Sequence, residues 1–263
     1  MRSADKTRSK SNVVAGGASS STHPGALTTC NLLLAGLPET SQKLLNDVAE
    51  TVEVKARQVL HAHDKPLSYA IFPCDALVSV TMRSNGKAIE IAMIGDEGLF
   101  GLPLFFGTDN CPMTALVQVG GNAIRIRARD FTRVLAADPA FNAALGRYAQ
   151  SFSVMLAQSA VCYATHVVEQ RCAKWLLMAH DRVRTDIFPL TQELLAQMLG
   201  VRRSTVSEVA ERMQHDGLIS YRQGQMTILD RQGLEERTCP CYGVMIKQTD
   251  RALRPAAPAP EQK

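Results

Sequence analysis

FPLTQELLAQMLG (residues 188–200), VRRSTVSEVAERMQHDG (201–217) and LISYRQGQMTILD (218–230) follow one another without a gap. Pro189 cannot continue a helix, so any preceding helix ends by Phe188. Thr191 stands where an N-cap belongs, its hydroxyl able to accept from the free amides of the first turn. Leu194, Leu195, Met198 and Leu199 supply the apolar stripe of a short helix. Gly200 follows as the C′ glycine that tolerates positive φ. A second helix begins almost at once. On it Val206, Val209, Ala210 and Met213 fall on one side and are expected to pack inward, while Ser204, Ser207, Glu208 and Glu211 fall on the other. Gly217 stops that helix. Leu218 to Arg222, Gln223-Gly224 and Gln225 to Leu229 then read as a hairpin around a glycine turn. Two helices joined by a tight corner are a route into the DNA major groove.

The polar face has the chemistry of base reading. Arg recognises guanine, Ser several bases, and Glu accepts from cytosine. Arg203, Ser204, Ser207 and Glu208 are therefore expected at base edges, with Thr205, Arg212 and Arg222 on the phosphates that fix register and Arg202 also at the DNA. An ordinary solvated helix also has a polar face; the preceding helix, the Gly200 corner and the hairpin weigh against that.

These residues carry a resemblance. Residues 188–230 look like the winged helix of the Crp/Fnr family of bacterial transcription regulators, and QRCAKWLLMAHDRV (170–183) resembles the helix before it. Upstream, FPCDALVSVTMRSNGKAIEIAMIGDEGLFGLPLFFG (72–107) resembles the family's cyclic-nucleotide-binding-like barrel. The match spans about residues 31 to 243. It implies an α+β chain: an N-terminal double-stranded β-helix (jelly-roll) sensor, a long dimerisation helix and a C-terminal winged helix-turn-helix. It further implies duplex DNA, a second copy of the chain and RNA polymerase as partners.

The residues upstream fit. Leu37 to Val48 reads as a short helix. Thr51–Val54, Val59–Leu60, Ala70–Phe72, Leu77–Met82, Ala88–Ile94, Thr114–Val119 and Ala123–Ile126 read as strands, with Ser84-Asn85-Gly86 the clearest hairpin turn. Asp138-Pro139 opens a long helix in which Phe141, Leu145, Tyr148, Phe152, Met155, Leu156, Ser159 and Cys162 step by three or four. Val154 and Val161 widen its apolar arc, so two faces need cover, and a homodimer along this helix supplies both. The expected divisions are a disordered arm over 1–30, the barrel over 31–137, the dimerisation helix over 138–165, the winged helix over 166–243 and a flexible tail over 244–263.

In relatives that bind cyclic nucleotides, a Glu just after a Gly takes the ribose and an Arg about ten residues later takes the phosphate, charge-assisted contacts that offset burial of the anion. Here Gly101 keeps the glycine, but Leu102 and Pro112 hold the other two places. No cation occurs from Gly98 to Met113. Gly101, Leu102, Pro112 and Met113 thus mark a candidate pocket that does not suit cAMP. Another small ligand, a protein partner, a redox signal or no ligand remain open, and no cofactor is implied. Within the winged helix Ser204 stands where relatives often carry Glu, and Glu208 where they carry Arg, so a different half-site is expected.

The chain has 263 residues and a formal net charge of +4. From His166 to Thr238, ten acidic residues balance ten basic ones, so moderate non-specific DNA affinity is expected. Lys6, Arg8 and Lys10 add charge in the arm. No apolar run reaches the roughly 18 residues of a membrane span, and the N-terminus lacks a signal peptide's apolar block; a cytoplasmic protein is expected. The seven cysteines (30, 74, 111, 162, 172, 239 and 241) are odd in number and scattered, which argues against a disulfide framework. Cys30 stands alone at its end. Cys239-Pro240-Cys241 is the one close pair, but metal sites usually draw on a second pair and none is evident, so no metal site is assigned and a structural role is expected. His61 and His63 read as a surface turn. An enzyme is not expected: no HExxH, P-loop or paired-carboxylate motif occurs, and Asp96 and Glu97, being adjacent, make a poor acid/base pair. The competing reading is a winged helix that binds a protein partner.

Overall fold

The computed structural model describes residues 27–254. Most of the expected arm, including Lys6, Arg8 and Lys10, and residues 255–263 of the expected tail lie outside them. A 3-10 turn (Leu27–Cys30) leads into α1 (Leu32–Ala35) and α2 (Glu39–Asn46). The barrel follows as β1 (Ala49–Val54), β2 (Val59–His61), β3 (Lys65–Pro66), β4 (Tyr69–Pro73), β5 (Leu77–Ser84), β6 (Lys87–Ile94), the short α3 (Leu102–Phe105), β7 (Asn110–Cys111), β8 (Thr114–Val119) and β9 (Gly121–Arg127). Two antiparallel sheets face each other, in the orders β1-β9-β4 and β2-β8-β5-β6, with β3-β7 as a side ribbon. Asn85 and Gly86 both take positive φ, 51° and 75°, which gives the β5–β6 hairpin its tight turn.

The rest of the chain is mainly helical: α4 (Ala128–Ala137), α5 (Pro139–Thr165), α6 (Val168–Val183), β10 (Ile187–Pro189), α7 (Gln192–Leu199), α8 (Arg203–His215), β11 (Ile219–Arg222), β12 (Gln225–Ile228), α9 (Arg231–Arg237) and α10 (Cys241–Leu253). Asp138 caps α5, its carboxylate accepting from the amides of Ala140 and Phe141. An aromatic cluster seats α4 and α5 on the barrel: Phe131 packs edge-on to Phe141 and lies beside Phe72.

The turn Gly95-Asp96-Glu97-Gly98 is the corner where barrel and helices meet. At Gly98 a Cβ would lie 2.4 Å from the Tyr148 hydroxyl, and at Gly95 it would meet the Arg182 stem at 2.8 Å. Both glycines are therefore required by close approach, independent of turn conformation. Tyr148 Oη donates to the Leu99 carbonyl at 3.1 Å. Asp96 and Glu97 are tied to α6 and its cap, not to each other: Arg182 meets Glu97 at 2.8 Å, with side chains 6% and 8% exposed, and Arg184 meets Asp96 at 2.5 Å.

Four expectations are corrected. Cys30 is not alone but disulfide-bonded to Cys74, a pairing across 44 residues that spacing does not reveal. The stretch after 243 is not a flexible tail throughout: α10 runs to Leu253 and lies along α5, burying Met245 and Ala252. The α5 face expected between two chains is instead buried within one, because the barrel, α4 and α10 cover Phe141, Leu145, Tyr148, Phe152, Met155 and Cys162. The face left open on α5 carries Ala143, Gln150, Ser153, Ala157, Ala160, Val161 and Ala164. Finally, His61 is buried, its ring 5.5 Å from that of Phe100, and burial pushes its pKa down.

Candidate DNA-binding face

The winged helix is assembled by local signals. Thr191 Oγ1 accepts from the Leu194 amide at 3.2 Å and opens α7. Gly200 ends it in the left-handed region at φ 66°. The backbone turns through Val201 and Arg202, and α8 starts at Arg203. Val206, Val209, Ala210 and Met213 are buried, as the periodicity predicts. Gly217, at φ 73°, ends the helix, and Gln223 and Gly224, at 50° and 78°, turn the wing. A third wing strand, β10, pairs with β12 on its outer edge, where Pro189 costs no ladder hydrogen bond.

Arg202, Arg203, Ser204, Glu208, Glu211 and Arg222 are exposed. Thr205 and Ser207 are half-buried. Ser207 Oγ donates to Gln192 Oε1 at 2.7 Å and so ties α8 to α7. Arg212 lies 3.3 Å from Glu169 on α6, in a chain of charges that continues through Arg237 to Asp216. The wing's Tyr221 hydroxyl accepts from the Gln192 amide at 3.2 Å, so wing and helix pair form one unit.

This unit is docked on the barrel. Tyr163 Oη, on α5, lies 3.0 Å from the Glu90 carbonyl of β6 and 2.7 Å from the Met198 carbonyl of α7. Trp175 Nε1 donates to the Glu90 carboxyl at 2.7 Å, and Ser79 Oγ donates to its other oxygen. Glu90 is buried, and desolvation raises its pKa to about 7, against the lowering effect of Ser79, Trp175, Lys174 and Arg182. The Gly200 corner abuts Ile89. Nothing in the sequence marks Glu90, Trp175, Tyr163 and Arg182 as junction residues beyond a lone Trp and a Glu inside an apolar strand.

The four expected pocket residues differ in their surroundings. Gly101, at φ 130°, leads into α3 and leaves its side-chain position to the Ala70 backbone, 3.0 Å from where a Cβ would lie. Leu102 is buried, Met113 half-buried and Pro112 exposed. A cavity of about 30 Å³, water-sized, lies elsewhere, bordered by Glu90, Tyr163, Lys174, Trp175 and Met178. Among the described residues no helix is long and apolar enough to cross a membrane.

Residues 170–237 match the family model of the Crp-like helix-turn-helix domain. No curated protein matches the chain. Solved structures resemble it over most of their length. The c-di-GMP responsive global regulator CLP of Xanthomonas campestris is 15% identical, with 73% of this chain and 99% of that one covered and a TM-score of 0.61. TTHB099, a transcriptional regulator of the CRP family from Thermus thermophilus, is 17% identical, with coverages of 78% and 100% and a TM-score of 0.60. FixK2 of Bradyrhizobium japonicum is 16% identical, with coverages of 73% and 98% and a TM-score of 0.57. At these identities the likeness establishes the fold. Taken together, the chain has the fold of these regulators, and its residues 170–237 form a Crp-like helix-turn-helix domain.

Proposed function

We propose that the chain reads a palindromic duplex as a homodimer, without cAMP as its signal. Arg203, Ser204 and Glu208 face base edges, and Arg202, Thr205 and Arg222 meet phosphates. The observation that carries this is the set of exposed side chains on the first turns of α8. The side chains of Arg202, Arg203, Ser204 and Glu208 have no hydrogen-bond or ion-pair partner among the described residues, and that of Arg222 on the wing has none either. Ser207, whose proton is given to Gln192, supports the face and can meet a base as an acceptor. Arg212, held by Glu169, is a secondary phosphate contact.

The open face of α5 favours the dimer. Ala143, Gly146, Gln150, Ser153, Ala157, Ala160 and Ala164 step by three and four in strict alternation, a heptad seam of small residues along which two helices approach closely. Pairing there sets two recognition helices on half-sites about one DNA turn apart. RNA polymerase is the expected partner of the DNA-bound dimer.

The barrel's departure from cyclic-nucleotide chemistry favours a different signal. Leu102 and Pro112 offer an anion no charge, and Phe100, His61 and Leu104 fill the adjoining interior. Fluorescence anisotropy with a duplex recovered by selection tests the reading face. Arg203→Ala is expected to weaken binding to the selected duplex and relax preference at one base position while keeping the wild-type unfolding curve; unchanged binding would contradict the assignment of α8.

A further inference from the structure

Cys162 and His166 lie one helical turn apart at the C-terminal end of α5, with His166 as its capping residue. Cys239 and Cys241 flank Pro240, which caps α10. The fold brings these two pairs together across more than seventy residues. The four candidate donor atoms, three sulfurs and an imidazole nitrogen, all lie within 4.8 Å of one another. Cys162 Sγ is 3.6 Å from Cys239 Sγ, and Cys241 Sγ is 3.5 Å from His166 Nδ1. The three cysteines are buried and form a cluster apart from the main apolar core.

The Cys162–Cys239 and Cys241–His166 separations match the edges of a metal-centred tetrahedron, within a cluster whose donors span at most 4.8 Å. With metal–sulfur bonds of about 2.3 Å and a metal–nitrogen bond of about 2.0 Å, tetrahedral geometry sets S···S near 3.8 Å and S···N near 3.5 Å. We propose that Cys162, His166, Cys239 and Cys241 form a Cys3His site for zinc, a site that closes the junction between α5 and α10. Three thiolates and an imidazole are soft and borderline donors, which suit Zn²⁺ over oxygen-seeking Mg²⁺ or Ca²⁺. Four protein donors leave no open position, so the site is structural.

The surroundings match the charge of such a centre. Three thiolates and one Zn²⁺ leave a net charge of −1. Lys174, 9% exposed on α6, lies close enough to act electrostatically on Cys162 and supplies the balancing cation. Gln158 Nε2 lies 3.0 Å from Cys241 Sγ and donates an N–H···S bond from the neighbouring turn of α5. Contacts of this kind orient metal-bound thiolates. Binding replaces the thiol protons with the metal, so each zinc taken up at neutral pH releases up to three protons. A disulfide between Cys162 and Cys239 is the competing chemistry for the close sulfur pair, but it leaves Cys241 and His166 converging on nothing.

The test uses the full chain, purified without chelator under reducing conditions. Elemental analysis after gel filtration is expected to give one zinc per chain. Replacement by Co²⁺ is expected to give the intense visible absorption of tetrahedral cobalt and a thiolate-to-cobalt charge-transfer band. Cys241→Ser and His166→Ala are expected to weaken zinc retention by at least tenfold against a competing chelator. Cys172→Ala, outside the cluster, is expected to retain it. A folded wild-type chain with no zinc and no charge-transfer band on cobalt addition would overturn the proposal. So would peptide mapping that recovers Cys162 and Cys239 as a disulfide in the chain purified anaerobically. The wild-type measurements stand whether or not the variants fold.

Discussion

Glu90 sits where three parts of the chain meet: Ser79 on β5, Trp175 and Lys174 on α6, and Tyr163 on α5. Burial holds its proton to about pH 7, against 4.5 in the unfolded chain. Between those values the folded state binds the extra proton, so stability falls as pH rises from about 4.5 to about 7 and then levels. The shift amounts to about 3 kcal/mol at most. Glu90→Gln, which keeps an oxygen for Trp175, is expected to flatten that part of the pH profile of urea unfolding; an unchanged slope would remove Glu90 as its source. At Arg203 the effect is on binding. Arg203→Ala is expected to cost about 1–3 kcal/mol at the selected site and to relax preference at one base position. Residues of this kind were legible to different degrees. Arg203 and Ser204 stand out by their place on the first turn of a polar-faced helix just after the Gly200 corner. Glu90, inside an apolar strand, gains its meaning only from Trp175, 85 residues away.

Among elements, α7 and α8 carry their own start and stop signals. Thr191→Ala is expected to destabilise the domain by about 1 kcal/mol through the lost cap, measured by thermal unfolding at fixed pH. The open face of α5 makes a sharper prediction. Ala157→Glu sets like charges against each other across a two-fold seam, so light scattering is expected to find one chain where the wild type has two. A dimer that survives the change would place the interface elsewhere. The helix-turn-helix, the β5–β6 hairpin and the length of α5 were readable because turns, caps and periodicity are local. The third wing strand was not. Ile187-Phe188-Pro189 has too few residues for alternation and is a strand only because β12 lies beside it. For α10, the Pro/Ala-rich sequence just beyond it hid a helix whose buried positions, Cys241, Met245 and Ala252, are sparse. The inward face of α5 is legible as apolar but its cover is not, since periodicity names the buried face and not the element that buries it.

On the scale of the whole molecule, the winged helix and barrel are joined by Tyr163, Trp175–Glu90, Arg182–Glu97 and Arg184–Asp96. Removing one partner of the buried Arg182–Glu97 pair strands a charge, at a cost of about 3–5 kcal/mol. Arg182→Met is therefore expected to destabilise the chain more than Arg184→Met, whose side chain is 61% exposed; equal losses in denaturant unfolding would contradict the difference in burial. The same contacts fix how the recognition helix is presented, so a signal that repositions α8 has to act through them. Selection of bound duplexes from a random library, with the purified chain at physiological salt and with or without cAMP, is the most direct measurement of DNA reading. A palindrome whose half-sites lie about one turn apart, enriched equally in both conditions, is the predicted result. Enrichment only with cAMP would contradict the reading of Leu102 and Pro112, and a library left unenriched in both would contradict DNA reading by the isolated chain.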